Sequence, residues 1–122
     1  VFNILIDNTD DHEKNHALTV TDSQQYALAP AFDVLPSGQA LGFQQMRIGA
    51  QEADSTLDNA LSMSRMFALT PKEARQEVTA VVRVVDGWRE HFESCGVSPG
   101  DIELYAEQID RPFLKDQRAQ FG

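Results

Sequence analysis

The chain has 122 residues, 42 % of them hydrophobic, enough for one small folded domain with a modest core and too apolar for a disordered chain. Lys and Arg number 10 against 19 Asp and Glu, a net charge of −9, which argues against direct nucleic-acid binding by this chain; a nucleotide is still admitted, because a bound metal supplies positive charge. The only cysteine, Cys95, leaves no internal disulfide and suits a reducing, cytoplasmic setting, and no apolar run reaches the length of a membrane span.

In chain order, Val1 to Ile6 is apolar from the first residue, with no initiating Met, no cap and no basic flank of a signal peptide. It reads as the end of a buried helix reaching about residue 8, and the chain as the C-terminal portion of a longer protein. Asp7, Asn8 and Thr9 break the apolar pattern with turn-forming side chains. Residues 9–16 form a polar loop. Ala17 to Thr21 reads as a strand, Asp22-Ser23-Gln24 as a turn and Gln25 to Leu28 as the return strand, together a small hairpin. Pro30 and Pro36 bracket Asp33 and discourage regular structure there, and 36–49 reads as a mobile loop.

Helical signals dominate the rest. Ser55 or Thr56 caps a helix that runs to about Leu69, with Leu57, Ala60, Leu61 and Ser64 on one face. Thr70-Pro71-Lys72-Glu73 combines a cap, a first-turn proline and a capping box. The helix it opens carries Ala74, Val78, Val81, Val82, Val85, Trp88 and Phe92 at steps of three and four, the stripe of a core-facing helix. Gly96 stops it. Ser98-Pro99 opens another helix with Ile102, Leu104, Tyr105 and Ile109 as buried candidates. The polar tail holds Phe113, Leu114 and Phe121 as docking candidates. Glu103, Glu107 and Asp110 are expected on a solvated face, Arg65, Arg75 and Arg83 on the surface, and Trp88 in the core. Cys95 has no partner that would make it a catalytic thiol. The fold class is mainly α with one hairpin, in a single domain over 1–122: a site-bearing segment, 1–49, on a helical subdomain, 50–122.

The chemistry concentrates in residues 7–33. Asp10 and Asn15 stand five positions apart in the polar loop, and Asp33 follows the hairpin eighteen positions after Asn15. In phosphoryl transfer to an alcohol, one carboxylate orients the hydroxyl and accepts its proton late, while an amide and a carboxylate hold magnesium against the phosphates. The protein-kinase catalytic loop spaces these groups as Asp-x-x-x-x-Asn. Spacing alone does not separate this from a polar turn, because Asp and Asn also bond to their own backbone. His12-Glu13-Lys14-Asn15-His16 also matches the zinc-protease string His-Glu-x-x-His, which needs a helix to put both imidazoles on one face. Turn formers and a strand flank it here, which argues against zinc.

The residues between decide the expectation. Asn8 to Asn15, containing Asp-x-His-x-Lys-Asn, and Leu28 to Leu35, containing Leu-x-Pro-x-Phe-Asp-Val, resemble the paired signature of the HipA family of toxin serine/threonine kinases. The helical remainder is similar to that family's C-terminal lobe. The resemblance implies a kinase-like helical C-lobe whose hairpin carries the catalytic and metal loops. It implies Asp10 as the catalytic residue, Asn15 and Asp33 as Mg2+ ligands, His12 and Lys14 as motif positions on the ATP side, and a protein hydroxyl as acceptor. Lys14 would approach the transferred phosphate or pair with Asp11. By the same resemblance the parent is a toxin with an aminoacyl-tRNA synthetase as target and a helix-turn-helix antitoxin as partner. Asp11 stands where Gly is usual and adds a negative charge. The family's Gly-rich loop, strand Lys and self-phosphorylated loop match nothing in these residues, so the chain by itself is expected to transfer no phosphate. A binding or regulatory module that keeps the fold without the chemistry is the alternative.

Overall fold

Local chemistry sets most element boundaries in the computed structural model, which describes residues 1–122. Phe2–Leu5 form a single helical turn, α1, and Ile4, Leu5 and Ile6 are buried. Glu13–Asn15 form a 3-10 turn. Leu18–Val20 (β1) and Tyr26–Leu28 (β2) pair antiparallel, with Leu18 opposite Leu28 and Val20 opposite Tyr26. The hairpin is the one the alternation predicts, trimmed at its ends.

Residues 29–56 form no helix and no strand longer than an isolated bridge; Pro30 and Pro36 account for the first part of this and for no more. The segment is nevertheless tied down. Gln44 is buried and its amide donates to Ser55 Oγ at 2.8 Å. Asn59 is fully buried; its Nδ2 donates to the carbonyls of Gln51, Glu52 and Asp54, and its Oδ1 accepts from Gln51 N. One side chain thus satisfies four backbone groups of an irregular loop that has no ladder to use. Gly49 belongs to the same clasp, since a Cβ there would stand 2.0 Å from the Asn59 carbonyl oxygen.

Thr56 caps the next helix, α2 (Leu57–Ser62), by accepting from Asn59 N at 3.1 Å. The predicted helix to Leu69 ends early, and Ser64–Phe67 continue as a 3-10 turn closed by Ala68 at φ 58°. Ser62 Oγ donates back to the Asn59 carbonyl at 2.6 Å, the serine back-bonding that competes with helix continuation. Thr70 and Glu73 form the predicted capping box, and α3 runs Pro71–Asp86. The single long helix predicted through Phe92 is instead two: Gly87 separates α3 from α4, Trp88–Ser94. The valine stripe continues across the break, which is why periodicity alone does not reveal it. Glycine weakens a helix interior, and here Gly87, at φ −85° and ψ 8°, leaves the helical conformation. Gly96, at φ 80°, ends α4 by a Schellman pair, Val97 N to Phe92 O and Gly96 N to Glu93 O, both 3.0 Å. Ser98 caps α5 (Pro99–Ile109), and α6 spans Pro112–Ala119.

The core gathers Ile4 and Leu5 of α1, Leu57 of α2, Val78, Val82 and Val85 of α3, Trp88, Ile102, Ile109 and Phe121. Each such side chain contributes about 1.5–3 kcal/mol on leaving water. Leu114 is buried as well, whereas Leu104 and Phe113 are exposed and Tyr105 sits at the boundary, edge-on to the Phe92 ring at 5.6 Å. No helix is long and apolar enough to cross a membrane.

Polar ties lock the helices. Arg118 is buried; its Nε donates to Asp86 Oδ1 (2.8 Å), Nη1 to the Ile109 carbonyl (2.8 Å) and Nη2 to Asp110 Oδ1 (2.9 Å). Asp110 also accepts from Trp88 Nε1 and Arg89 Nε. The solvated acidic face expected at Asp110 is therefore corrected: this carboxylate, at the end of α5, joins α4 and α6, and Arg118 carries the tie on to Asp86 of α3. Burial pushes its pKa up, but the hydrogen bonds from Trp88 and Arg89 and the charges of Arg118 and Lys115 outweigh that and hold it below the ordinary carboxylate value. Cys95 is exposed and has a neighbour that the sequence reading missed, His91 Nε2 at 3.8 Å, one helical turn back.

Candidate functional site

The site is assembled from the turn after α1. Asp7, Asn8 and Thr9 are buried, and Asp7 takes φ 58°, a left-handed conformation that Asp tolerates better than most residues. Its carbonyl accepts from Ser37 N (3.0 Å) and Ser37 Oγ (2.8 Å). Its Oδ2 accepts from Ala40 N (3.1 Å) and from Arg111 Nη1 (2.7 Å). Since the Ser37 hydroxyl donates to Asp7, the 2.7 Å contact between Thr9 Oγ1 and Ser37 Oγ has Thr9 as donor. Residues 7–9 and 36–40 are thereby pinned to each other and, through Arg111, to the helical base.

That pinning brings distant residues together. Asp10 and Asp33 line one cleft of about 240 Å3, with Asn8, Pro36, Ser37 and Gln39 around them. Both carboxylates are exposed, and neither takes part in a side-chain hydrogen bond or ion pair within the chain. They are hard oxygen donors left available, the type that magnesium selects. Asp33 sits at φ 55°, the left-handed conformation that Asp7 also takes, which turns the chain between Phe32 and Val34.

The other predicted residues are placed differently. Asn15 lines a second cleft, of about 380 Å3, with Asp11, His16 and Phe32. Its Nδ2 donates to the Asp10 carbonyl at 3.4 Å, so Asp10 stands between the two clefts, its side chain in one and its peptide bonded toward the other. Lys14 is exposed and forms no ion pair; the pairing with Asp11 weighed above is not made. Asp11 instead accepts from Asn3 Nδ2 at 2.7 Å and meets His16 Nε2 at 3.0 Å, so its charge is spent locally. His12 is half-buried, and its Nδ1 is buried without a partner.

The zinc-protease string does not form its motif. His12 and His16 are extended residues (ψ 169° and 129°) flanking a 3-10 turn, so they share no helix face, and His16 Nε2 is engaged by Asp11. A separate apolar hollow of about 470 Å3, bordered by Phe2, Ile6, Val34, Trp88, His91 and Phe92, offers one imidazole and no carboxylate, too little for phosphoryl transfer. Sequence reasoning missed Asn8 and Ser37 as cleft residues and Arg111 as their anchor. The only available signal was the turn chemistry of Asp7 to Thr9, and nothing local points to a residue so far along the chain.

A family model described as the HipA-like C-terminal domain matches residues 1–88. No curated protein and no solved structure matches the chain.

Proposed function

The chain belongs to the HipA-like C-terminal domain family, and on that premise we propose that it is the C-terminal part of a serine/threonine protein kinase that transfers the ATP γ-phosphate to a protein hydroxyl. The observation that carries the reading is the meeting of Asp10 and Asp33, two unpartnered carboxylates from separate loops, in one cleft. In this reading Asp10 orients the acceptor hydroxyl and takes its proton late in transfer. Asp33 would hold Mg2+ by an oxygen donor, and the ion, when bound, would neutralise phosphate charge. Asn15, the second ligand that the resemblance implies, lines the neighbouring cleft and would reach the same ion only by turning its side chain away from the Asp10 carbonyl. By the family's motif, Lys14, exposed and unpaired, is assigned to the transferred phosphate and His12 to the nucleotide. The Arg111–Asp7–Ser37 ties hold the loops on either side of the cleft to the helical base. The parent protein is proposed to be a cytoplasmic toxin, with an aminoacyl-tRNA synthetase as protein substrate and a helix-turn-helix antitoxin as partner.

The test uses the full-length parent with radiolabelled ATP, magnesium and a protein acceptor. The parent is expected to phosphorylate the acceptor, and Asp10→Asn to retain Mg-ATP binding while losing turnover by about 10²–10⁴-fold. Residues 1–122 alone are expected to transfer no phosphate. A parent that binds no Mg-ATP, or an Asp10→Asn protein with unchanged turnover, overturns the assignment and leaves a binding module.

A further inference from the structure

We propose that the solvent face of α3 is a docking surface for an acidic segment of a protein partner. Lys72, Arg75, Gln76, Thr79, Ala80 and Arg83 line a shallow groove of about 450 Å3 along that helix. They recur at steps of three and four, so they form one stripe, turned away from the buried Ala74–Val78–Val82–Val85 stripe. No carboxylate lines the groove in a chain with 19 acids and 10 bases. The four cations elsewhere that face acids, Arg47, Arg89, Arg111 and Arg118, are taken up in ion pairs; Lys72, Arg75 and Arg83 form none. Asp86, just beyond the stripe, is drawn away by Arg118.

The groove is also prepared. Arg75 stacks over the Phe121 ring at 4.4 Å and donates from Nη2 to the Gln120 carbonyl at 3.1 Å, which fixes its planar fork. Ala80 and Thr79 keep the floor low between the cations, so a partner backbone can lie along it, and Gln76 supplies an amide. Lys72 to Arg83 is about 16 Å along the axis, the length of five extended residues. Three cations on so acidic a chain neutralise few phosphates, and duplex binding grows with each phosphate neutralised. They suffice for the few carboxylates of an acidic peptide, for which the local field, not the net charge, steers approach.

The experiment measures fluorescence anisotropy of a labelled dodecapeptide of alternating Glu and Ala against the 122-residue chain at low salt. The Gln–Ala peptide and a labelled 12-base-pair DNA duplex are run beside it. The Glu peptide is expected to bind and the Gln peptide not. Binding should weaken roughly tenfold or more in Lys72→Glu/Arg83→Glu and severalfold in the neutral Lys72→Gln/Arg83→Gln. Arg65→Glu/Lys115→Glu, which changes net charge equally at exposed positions off this face, should leave it within about twofold. Failure of the Glu peptide to bind overturns the proposal, as does equal weakening by the off-face pair. Tighter binding of the duplex through Lys72 and Arg83 overturns it in favour of a nucleic-acid face.

Discussion

Asp110 accepts hydrogen bonds from Trp88, Arg89 and Arg118, whereas the Asp10 carboxylate accepts none. The two acids look alike in the sequence and do opposite work. Asp10 is left available for a ligand; Asp110 is a structural group whose charge the fold depends on. Its pKa lies lower in the folded protein than in the unfolded chain, so the unfolded state takes up a proton first as pH falls. The stability it contributes is fully present above the ordinary Asp value of about 3.9 and is lost as pH drops through and below that value. Urea midpoints measured between about pH 6 and pH 3 should therefore fall steeply for the native chain and more gently for Asp110→Asn, which starts from a lower midpoint at neutral pH. Parallel acid limbs for the two proteins would show that Asp110 is not the group responsible. None of this was visible in the sequence, where Asp110 lies among acids at helical spacing and reads as part of a solvated face. The residues that contradict that reading, Trp88 and Arg89, lie more than twenty positions away, and only the packing of α4 against α5 brings them close.

The elements that were legible are those specified by neighbours. Thr70, Pro71 and Glu73 satisfy one another within a single turn, and so do Ser98 and Asp101. The hairpin's existence and its turn follow from alternation and turn formers over a few residues, though its register was not foreseen. The break at Gly87 was not legible, because the apolar stripe runs straight through it and the glycine costs the pattern nothing. Two glycines separate these cases experimentally. A Cβ at Gly87 would meet only the Val84 and Arg83 carbonyls at 3.6 and 3.9 Å, ordinary contact, at a φ of −85° that alanine accepts. Gly87→Ala should raise stability by about 0.4–1 kcal/mol, chiefly by restricting the unfolded chain. Gly49→Ala drives a methyl into the Asn59 carbonyl and should cost about 1–3 kcal/mol or prevent folding. Thermal melts of the two variants, shifting in opposite directions, check both. The pairing of Asp10 with Asp33 was legible only as a motif; the clasp of Asp7, Thr9 and Ser37 that assembles the cleft was not, because each of these residues alone is an ordinary turn former.

Across the whole molecule, apolar surface is divided unevenly. The helical base buries its stripes, but the hairpin leaves Leu18 65 %, Val20 60 %, Tyr26 76 % and Leu28 74 % exposed, all four on one face by its register. A two-stranded hairpin with such a face is a poor structure in water and a sticky one. The chain should self-associate at high concentration, and Leu18→Lys with Leu28→Glu, opposite each other, should abolish this while moving the melting temperature by no more than about 2–3 °C, since the pair adds only a few tenths of a kcal/mol. Sedimentation velocity across a concentration series decides it. The Arg111–Asp7 bond spans the molecule in another way. Arg111 lies beyond the residues that the family model matches, and Asp7 lies at the head of them. A shorter version trimmed to the shared portion would strand a buried carboxylate without its counter-ion and release the loops that it anchors. The segment recognisable by descent is smaller than the segment that can stand as an object, and any attempt to graft or swap this module should carry residues 89–122 along.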